Sequence, residues 1–335
     1  MVQEKINVVA LHNISSIKED DGVKVFYSYP QDLDIIRSIK KLNYNVSSMF
    51  YEEESIENLK DCVVFNLCDA LDTEDEIKLI EKLEENHIPH TGNSSFTTKL
   101  CQNKFLLKEV LKSNNINFPK GQIINHPEEN LNGDLNYPLI LKPIGEHGSN
   151  GIDEDSVIFN EKELREKVKD LILKFNKPVL AEEYIEGREF NIPLLGNENP
   201  ETLAILEIDY SEHFENKPKI LTYKAKWSKN SNDFKNTYSA ITTKLNEDEE
   251  NKIYETAISA YKAIKCNGYA SVDLRMNDKG ELFVIDINSN CYIAPESDTL
   301  KAAVSRGMTY EDLLNKILNY ALERFNLKEE IELII

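Results

Sequence analysis

Between Gly268 and Pro295 the chain reads GYASVDLRMNDKGELFVIDINSNCYIAP, and three of its side chains, Asp273, Asp286 and Asn288, are oxygen donors of the kind that hard metal ions take. Two apolar runs, Tyr269 to Met276 and Glu281 to Ile287, flank the turn Asn277-Asp278-Lys279-Gly280, which predicts a β-hairpin. Pairing Met276 with Glu281 sets Asp273 opposite Val284 and Ser271 opposite Asp286. The two-residue period of strands then puts Asp273, Asp286 and Asn288 on one face. Acids on strands are often solvated residues of an outer face. Asp286, however, stands among Val284, Ile285 and Ile287, where an unpaired carboxylate is expensive, and a bound Mg2+ would offset that cost.

A second chemistry-bearing stretch follows a predicted strand over Tyr137 to Pro143. It is the loop Gly145-Glu146-His147-Gly148-Ser149-Asn150-Gly151. Three glycines in seven positions let backbone amides approach phosphate oxygens, with Lys142 adding charge and Ser149 a hydroxyl. A glycine-rich hairpin turn has the same composition, and the lysine precedes the glycines, so the Walker pattern is not met. Farther on, the strand Pro178 to Tyr184 ends near Glu182-Glu183, and another begins at Phe190 and runs to Leu195.

The elements that must position these residues can be read in order. Ile6 to Leu11 and Cys62 to Leu67 are buried-type strands, Leu33 to Leu42 has helical spacing, and a helix with Ile77, Leu79, Ile80 and Leu83 follows the acidic stretch after Asp69. This alternation predicts an open parallel α/β unit closing at Ile88-Pro89-His90-Thr91-Gly92, near residue 95. Lys99 to Asn114 predicts one amphipathic helix with Lys104 early on it, and Glu161 to Phe175, Asp248 to Ala263 and Tyr310 to Phe325 predict three more. Residues 207–240 carry no clean periodicity and include the only tryptophan, Trp227, which fits a flexible lid or an ordinary long loop.

With 335 residues, 41% of them apolar, the chain can bury two or three separate cores. Asp plus Glu number 59 against 39 Lys plus Arg, a formal charge of -20, which argues against a general affinity for nucleic acid or anionic membrane. Any polyphosphate must therefore be held by local cations. Cysteines 62, 68, 101, 266 and 291 form no CxxC pair, and with no signal peptide or long apolar span the expectation is a reduced, cytoplasmic setting with core thiols.

Taken in order, VVFNL (63–67), IPHTG (88–92), NK (103–104), LILKP and EHGSNG (139–151), AEEYIEGREF (181–190), YKAK (223–226), and VDLR with VIDIN (272–288) resemble the ATP-grasp superfamily, specifically the D-alanine-D-alanine ligase branch. The resemblance covers nearly the whole chain. It implies an N-terminal open parallel α/β domain over residues 1–95 and a small central α+β domain over 96–184. A C-terminal antiparallel-sheet domain over 185–335 would carry the metal site. It further implies an ATP-dependent ligase that forms a C-N bond through an acyl phosphate. By position, Lys104 and Lys142 look like the lysines that hold ATP phosphates, and Gly148 and Ser149 like the loop closing over them. Glu182 looks like the acid at the adenine amine, Glu183, Tyr184 and Ile185 like the hinge beside the base, and Glu189 like the acid on the ribose. Lys226 matches the lid lysine, and Asp273, Asp286 and Asn288 match the ligands of two Mg2+ ions, for which Mn2+ can substitute. Small carboxylate and amine substrates and a homodimer are expected.

The pattern also has departures. Ser271 stands where these ligases carry an arginine at the developing oxyanion, and Arg275 on the same predicted face is the candidate replacement. Ser289 to Pro295 lacks the family's proline and glycine, Ala10-Leu11-His12-Asn13 replaces its glycine-rich amino-terminal segment, and Leu67-Cys68-Asp69-Ala70 lacks the glycines of its acidic loop. ATP chemistry with a substrate pair other than two D-alanines is the resulting expectation. Cell-wall D-alanine-D-alanine ligation is one alternative, and a non-catalytic nucleotide-binding partner is another. His12, His147 and Tyr292 are candidate substrate contacts, with His147 in the phosphate loop also a candidate catalytic group.

Overall fold

In a computed structural model the described residues are 5–20, 23–68, 73–146 and 148–327. The chain opens on a parallel sheet. Strand β1 (Asn7–His12) is followed by a hairpin of β2 (Ile14–Asp20) and β3 (Val23–Ser28), helix α1 (Pro30–Ile39), β4 (Asn45–Phe50), β5 (Val63–Leu67) and α2 (Thr73–Glu85). The order is β4-β1-β5, all parallel, and β5 is buried along its whole length. Parallel strands need cover on both faces. Val9, Leu11 and Val64 pack under Leu79 and Leu83 of α2, while Val8, Ala10 and Phe65 pack against Ile35, Ile36 and Ile39 of α1. Neither the β2–β3 hairpin nor β4 is among the elements expected from periodicity.

The single helix expected over Lys99 to Asn114 is two. Helix α3 (Ser95–Gln102) stops at Asn103, whose backbone (φ -93°, ψ 86°) is not helical, and α4 (Lys104–Ser113) starts there. The Asn103 side-chain oxygen accepts the Leu106 amide at 3.1 Å, capping α4. The apolar period runs through the break, so only the capping preference of asparagine marks it. Next come β6 (Gly121–Ile124), β7 (Leu139–Pro143), β8 (Val157–Ile158), α5 (Glu161–Phe175) and β9 (Val179–Glu183), an antiparallel sheet of order β6-β9-β7-β8. Leu139, Leu141, Val179 and Ala181 bury against Leu164, Val168 and Leu171 of α5. Since Ile140 pairs with Glu182 and Lys142 with Leu180, alternation sends Lys142 and Glu182 to the other face.

The largest sheet collects β10 (Arg188–Gly196), β11 (Glu201–Thr202), β12 (Leu206–Tyr210), β13 (Thr237–Ile241), β14 (Gly268–Met276) and β15 (Leu282–Asn288) in the order β13-β12-β10-β14-β15, with β11 beside β10. Residues 207–240 are thus neither all lid nor all loop. Their ends are strands β12 and β13, and between them lie two short helices, α6 (Tyr223–Trp227) and α7 (Asn232–Lys235). Helix α8 (Glu247–Ala263) covers β14 and β15 through Ile253, Ala257 and Tyr261. Helices α9 (Asp298–Ser305) and α10 (Tyr310–Arg324) close the chain, with Leu313, Leu314 and Ile317 of α10 sharing one core with Val8 and Phe65 of the first sheet. No described helix is long and apolar enough to cross a membrane.

The hairpin of β14 and β15 forms, but in a different register from the one expected. Met276 pairs with Leu282 and Leu274 with Val284, and then a bulge intervenes, after which Asp273 pairs with Asp286 and Ser271 with Asn288. The buried residues of β15 accordingly run Leu282, Val284, Ile287. A strict two-residue period would have put Asp286 in that core, so the extra residue is what delivers it to the face of Asp273. Replacing Asn103 by alanine is expected to lower stability by about 1 kcal/mol through loss of the α4 cap, measurable as an earlier denaturation midpoint with an unchanged denaturant slope.

Candidate active site

A cleft of about 640 Å³ opens between the four-stranded sheet and the large sheet. Its wall includes Asp273, Asp286, Asn288, Lys104, Lys142 and Lys226. Five elements deliver these groups. Strands β14 and β15 place Asp273 and Asp286 as direct cross-strand neighbours, α4 presents Lys104 on its first turn, β7 carries Lys142, and α6, capped by the Thr222 hydroxyl on the Ala225 amide, carries Lys226. Lys104 Nζ lies 3.1 Å from Asp286 Oδ1. Asn191 of β10, which faces Asp273 in register, donates to Asp273 Oδ1 at 2.6 Å. Asn288 Oδ1 accepts the Asn290 amide at 3.0 Å.

Two carboxylates so placed cannot ionise equally. Burial, followed by the charge of Asp286, pushes the Asp273 carboxyl up to about 6, with Lys226 and Asn191 opposing. Burial acts on Asp286 in the same sense, but Lys104, then Lys142 and Lys226, hold it below the usual carboxylate range. The donor set suits a hard divalent cation, since two acids and an amide are all oxygen ligands and the strain on Asp273 is what a cation would relieve. Among the described residues no group of three or more His, Cys, Asp or Glu could hold a metal by itself. The remaining oxygens of a Mg2+ shell would have to come from a phosphate ligand and water.

Behind Lys142, off the cleft wall, lies Glu182, 2% exposed on β9. Lys142 Nζ lies 2.7 Å from its Oε2, and Lys108 of α4 is in contact with its Oε1. Against the effect of burial, Lys142 and then Lys108 draw the Glu182 carboxyl down to about 2. Glu183 accepts from the Asn136 amide at 3.3 Å, and Tyr184 is bonded to the Lys219 backbone through its hydroxyl. Glu189 accepts the Tyr210 hydroxyl at 3.0 Å and lines the cleft.

Arg275 does not take up the role considered for it. It is 4% exposed, bonded to Glu189, to the Ile185 carbonyl at 2.8 Å and to the Lys219 carbonyl, and it lies over the Tyr184 ring. The reason is register. Arg275 is the direct cross-strand neighbour of Glu189 on β10, so its charge is drawn along the sheet and away from Ser271, and it is absent from the cleft wall. His12 is likewise not a cleft residue. It is buried, with its ring 4.6 Å from that of Phe50, and burial lowers its pKa. Tyr292 does line the cleft. His147, Asp69 and Ala70 lie outside the described residues.

The glycine-rich loop and α6 are latched together. Trp227 Nε1 donates to the Gly148 carbonyl at 2.8 Å, Ser149 Oγ to the Leu221 carbonyl at 2.7 Å, and the Tyr223 amide to the Ile152 carbonyl at 3.0 Å. Gly148 and Ser149 both adopt positive φ, and a Cβ on Gly148 would meet the indole at 3.3 Å. Cys101 and Cys291 also reach the wall, but burial pushes their thiols up to about 12 and about 11, which leaves them unreactive. Sequence reasoning missed Lys108, Asn191 and the Trp227 latch. Of these, only Lys108 left a signal, since it stands four residues after Lys104 on the same helical face.

Residues 110–319 match the family model described as the D-ala D-ala ligase C-terminus. An uncharacterized protein, y4sG, of Sinorhizobium fredii is 30% identical over 264 residues, 78% of this chain and 75% of that protein. The D-alanine--D-alanine ligase of Carboxydothermus hydrogenoformans is 29% identical over 303 residues, 86% of this chain and 91% of its own. Among solved structures, the D-alanine--D-alanine ligase of Bacillus anthracis complexed with ATP superposes with a TM-score of 0.72 at 21% identity, covering 97% of this chain and 99% of that one. The VanG D-Ala:D-Ser ligase of Enterococcus faecalis does so with a TM-score of 0.72 at 18% identity, covering 95% and 100%. The expected ATP-grasp architecture agrees with both.

The pair Asp273 and Asp286 gives a test of the site. Because the folded protein holds the Asp273 proton more tightly than the unfolded chain does, ionising this group costs stability progressively from about pH 4 to about pH 6, and the whole cost is present above that. Asp273→Asn is therefore expected to stabilise the metal-free protein at pH 7.5 by on the order of 1–3 kcal/mol, and to abolish the rise in melting temperature expected of the unmutated chain with Mg2+ and ATP. Thermal melts at pH 5 and pH 7.5, with and without Mg-ATP, read both effects.

Proposed function

The chain belongs to the D-alanine-D-alanine ligase family of ATP-grasp enzymes, and from that premise we propose that it joins a small carboxylate to an amine through an acyl phosphate, with a substrate pair other than two D-alanines. The strongest support is the pairing of Asp273 with Asp286 in a cleft that also holds Lys104, Lys142 and Lys226. A carboxylate is a poor electrophile because its leaving group would be oxide. Transfer of the γ-phosphoryl of ATP to it creates a good leaving group, and an amine then displaces phosphate to give the amide, ADP and inorganic phosphate.

In this reading Lys104 and Lys142 hold the ATP phosphates and Lys226 meets the transferred phosphoryl as the substrate carboxylate approaches it, reducing the repulsion between two anions. Asp273, Asp286 and Asn288 would hold Mg2+, which would supply further positive charge for the transferred phosphoryl. Glu189 takes the ribose hydroxyls, and Glu182 to Ile185 border the base. The latch of Trp227 and Ser149 holds Lys226 and the glycine-rich loop over the cleft and excludes water, which would otherwise hydrolyse the acyl phosphate.

Substrate recognition differs from the family pattern at Ser271 and at 289–295, and Arg275 is committed to Glu189, which favours a partner other than D-alanine. D-Alanine as one or both substrates is the second reading, favoured by the named ligase of Carboxydothermus hydrogenoformans among the relatives. ADP release with Mg-ATP across a matrix of D- and L-amino acids and small carboxylates, with hydroxylamine as a general acceptor and product masses in parallel, decides between them. Donor-dependent release with a hydroxamate mass is expected, together with loss of at least about 100-fold in Asp286→Asn. A D-alanyl-D-alanine mass would establish the second reading, and no release with any donor would remove the ligase assignment.

A further inference from the structure

Helix α4 presents two ammonium groups one turn apart, Lys104 to Asp286 and Lys108 to Glu182. Lys108 is the less obvious of the two. It is absent from the cleft wall, its side chain is only 13% exposed, and besides the Glu182 carboxylate its Nζ reaches the Pro119 carbonyl at 3.0 Å. Gly121 makes room for it. This residue pairs with Glu182 across β6 and β9, and a Cβ there would stand 2.9 Å from Lys108 Nζ and 3.1 Å from Glu182 Cγ. Gly121 is the first residue of β6, and its lack of a side chain leaves the space through which the ammonium reaches a buried acid.

Glu182 has a second lysine, Lys142, on its other oxygen at 2.7 Å, and unlike Lys108 this one does line the cleft. A lysine that is to bind phosphate has to leave its carboxylate. If Lys142 were the only counter-ion, its departure would strand an ionised, 2% exposed carboxylate, a change that typically costs several kcal/mol. We propose that Lys108 is a positioning residue for nucleotide binding: it keeps Glu182 neutralised so that Lys142 is free to move from Glu182 to a phosphate of the nucleotide. This rests on the reading of Lys142 as a phosphate ligand. Lys108 touches neither base nor phosphate, and its effect runs wholly through the Glu182–Lys142 pair.

The test compares Mg-ATP and adenosine binding by calorimetry in the full chain, for the unmutated protein, Lys108→Met, Glu182→Gln and the double variant. Lys108→Met is expected to weaken Mg-ATP about tenfold while changing adenosine binding less than about twofold, because only the phosphate contact is lost. In the Glu182→Gln background, where no carboxylate is left to neutralise, the same substitution is expected to change Mg-ATP binding less than about twofold. Equal weakening of ATP and adenosine, an equal loss in both backgrounds, or unaltered ATP binding in Lys108→Met would overturn the proposal. Failure of the unmutated chain to bind Mg-ATP would instead remove the underlying nucleotide reading and this proposal with it. If Lys108→Met does not fold, Lys108→Gln, which keeps a hydrogen-bonding head without the charge, takes its place in the same cycle.

Discussion

Asp273 and Asp286 face one another across two neighbouring strands, and much of the structure around them compensates for that repulsion. Like charges directly opposite in a sheet are unfavourable, and burial makes them more so. The compensation comes from several directions. Lys104 arrives from α4, Lys226 from α6 and the Asn191 amide from β10, while Lys142 contributes from the other side of the cleft. None of these elements is a sequence neighbour of the hairpin. The active cleft therefore depends on the large sheet, α4 and the four-stranded sheet all being assembled, and it cannot exist on the hairpin alone.

Each lysine that could bind phosphate from α4 or β7 is already matched with a carboxylate, Lys104 with Asp286 and Lys142 with Glu182. This arrangement keeps cations in a protein of net charge -20 from drifting to other acids and fixes where they wait. It also sets the difficulty of using them, above all for Lys142 and the buried Glu182, because a buried ion pair is costly to break from one side. The acids differ in how they meet that cost. On the proposed reading Asp286 would gain a divalent cation with the phosphates, whereas Glu182 lies off the cleft wall and must rely on a protein cation, and Lys108 is the only other one in contact with it among the described residues.

Legibility in the sequence followed from how local each cause is. The hairpin was readable because Asn277 to Gly280 is a turn signal between apolar runs, and the turn is built as that signal implies, with Asn277 Oδ1 accepting the Lys279 and Glu281 amides. Its register was not readable. The bulge arises where β15 must satisfy the core with Val284 and Ile287 and the cleft with Asp286, and that conflict exists only in three dimensions. The break at Asn103 was hidden because the apolar period continues across it. β12 and β13 were hidden because Leu206–Tyr210 and Thr237–Ile241 are short and lie toward one edge of the sheet, where little of β13 is buried. Site residues carried by resemblance share one cleft except Glu182 to Ile185, which are absent from its wall, while His12, read as a substrate contact from position alone, is core.

Arg275 shows how a side chain of the right type on the right strand can still serve a different end. From Ser271 to Arg275 is four residues, so alternation keeps both on one face of β14, but at about 3.4 Å per residue they are roughly 14 Å apart along it. That distance carries the guanidinium from the metal acids to Glu189, where its pairing fixes the carboxylate and, through the Ile185 and Lys219 carbonyls, ties the hinge strand to the segment leading into α6. On the proposed reading, a cation there steadies the nucleotide end of the cleft. The position beside Asn288 is left to a buried serine hydroxyl, a group that can hydrogen-bond an oxyanion but cannot neutralise one. On the proposed reading, charge stabilisation at the reacting carbonyl falls to Lys226 and the face of Asp273 and Asp286, which places more weight on the latch that holds α6 to the glycine-rich loop than a strand arginine would.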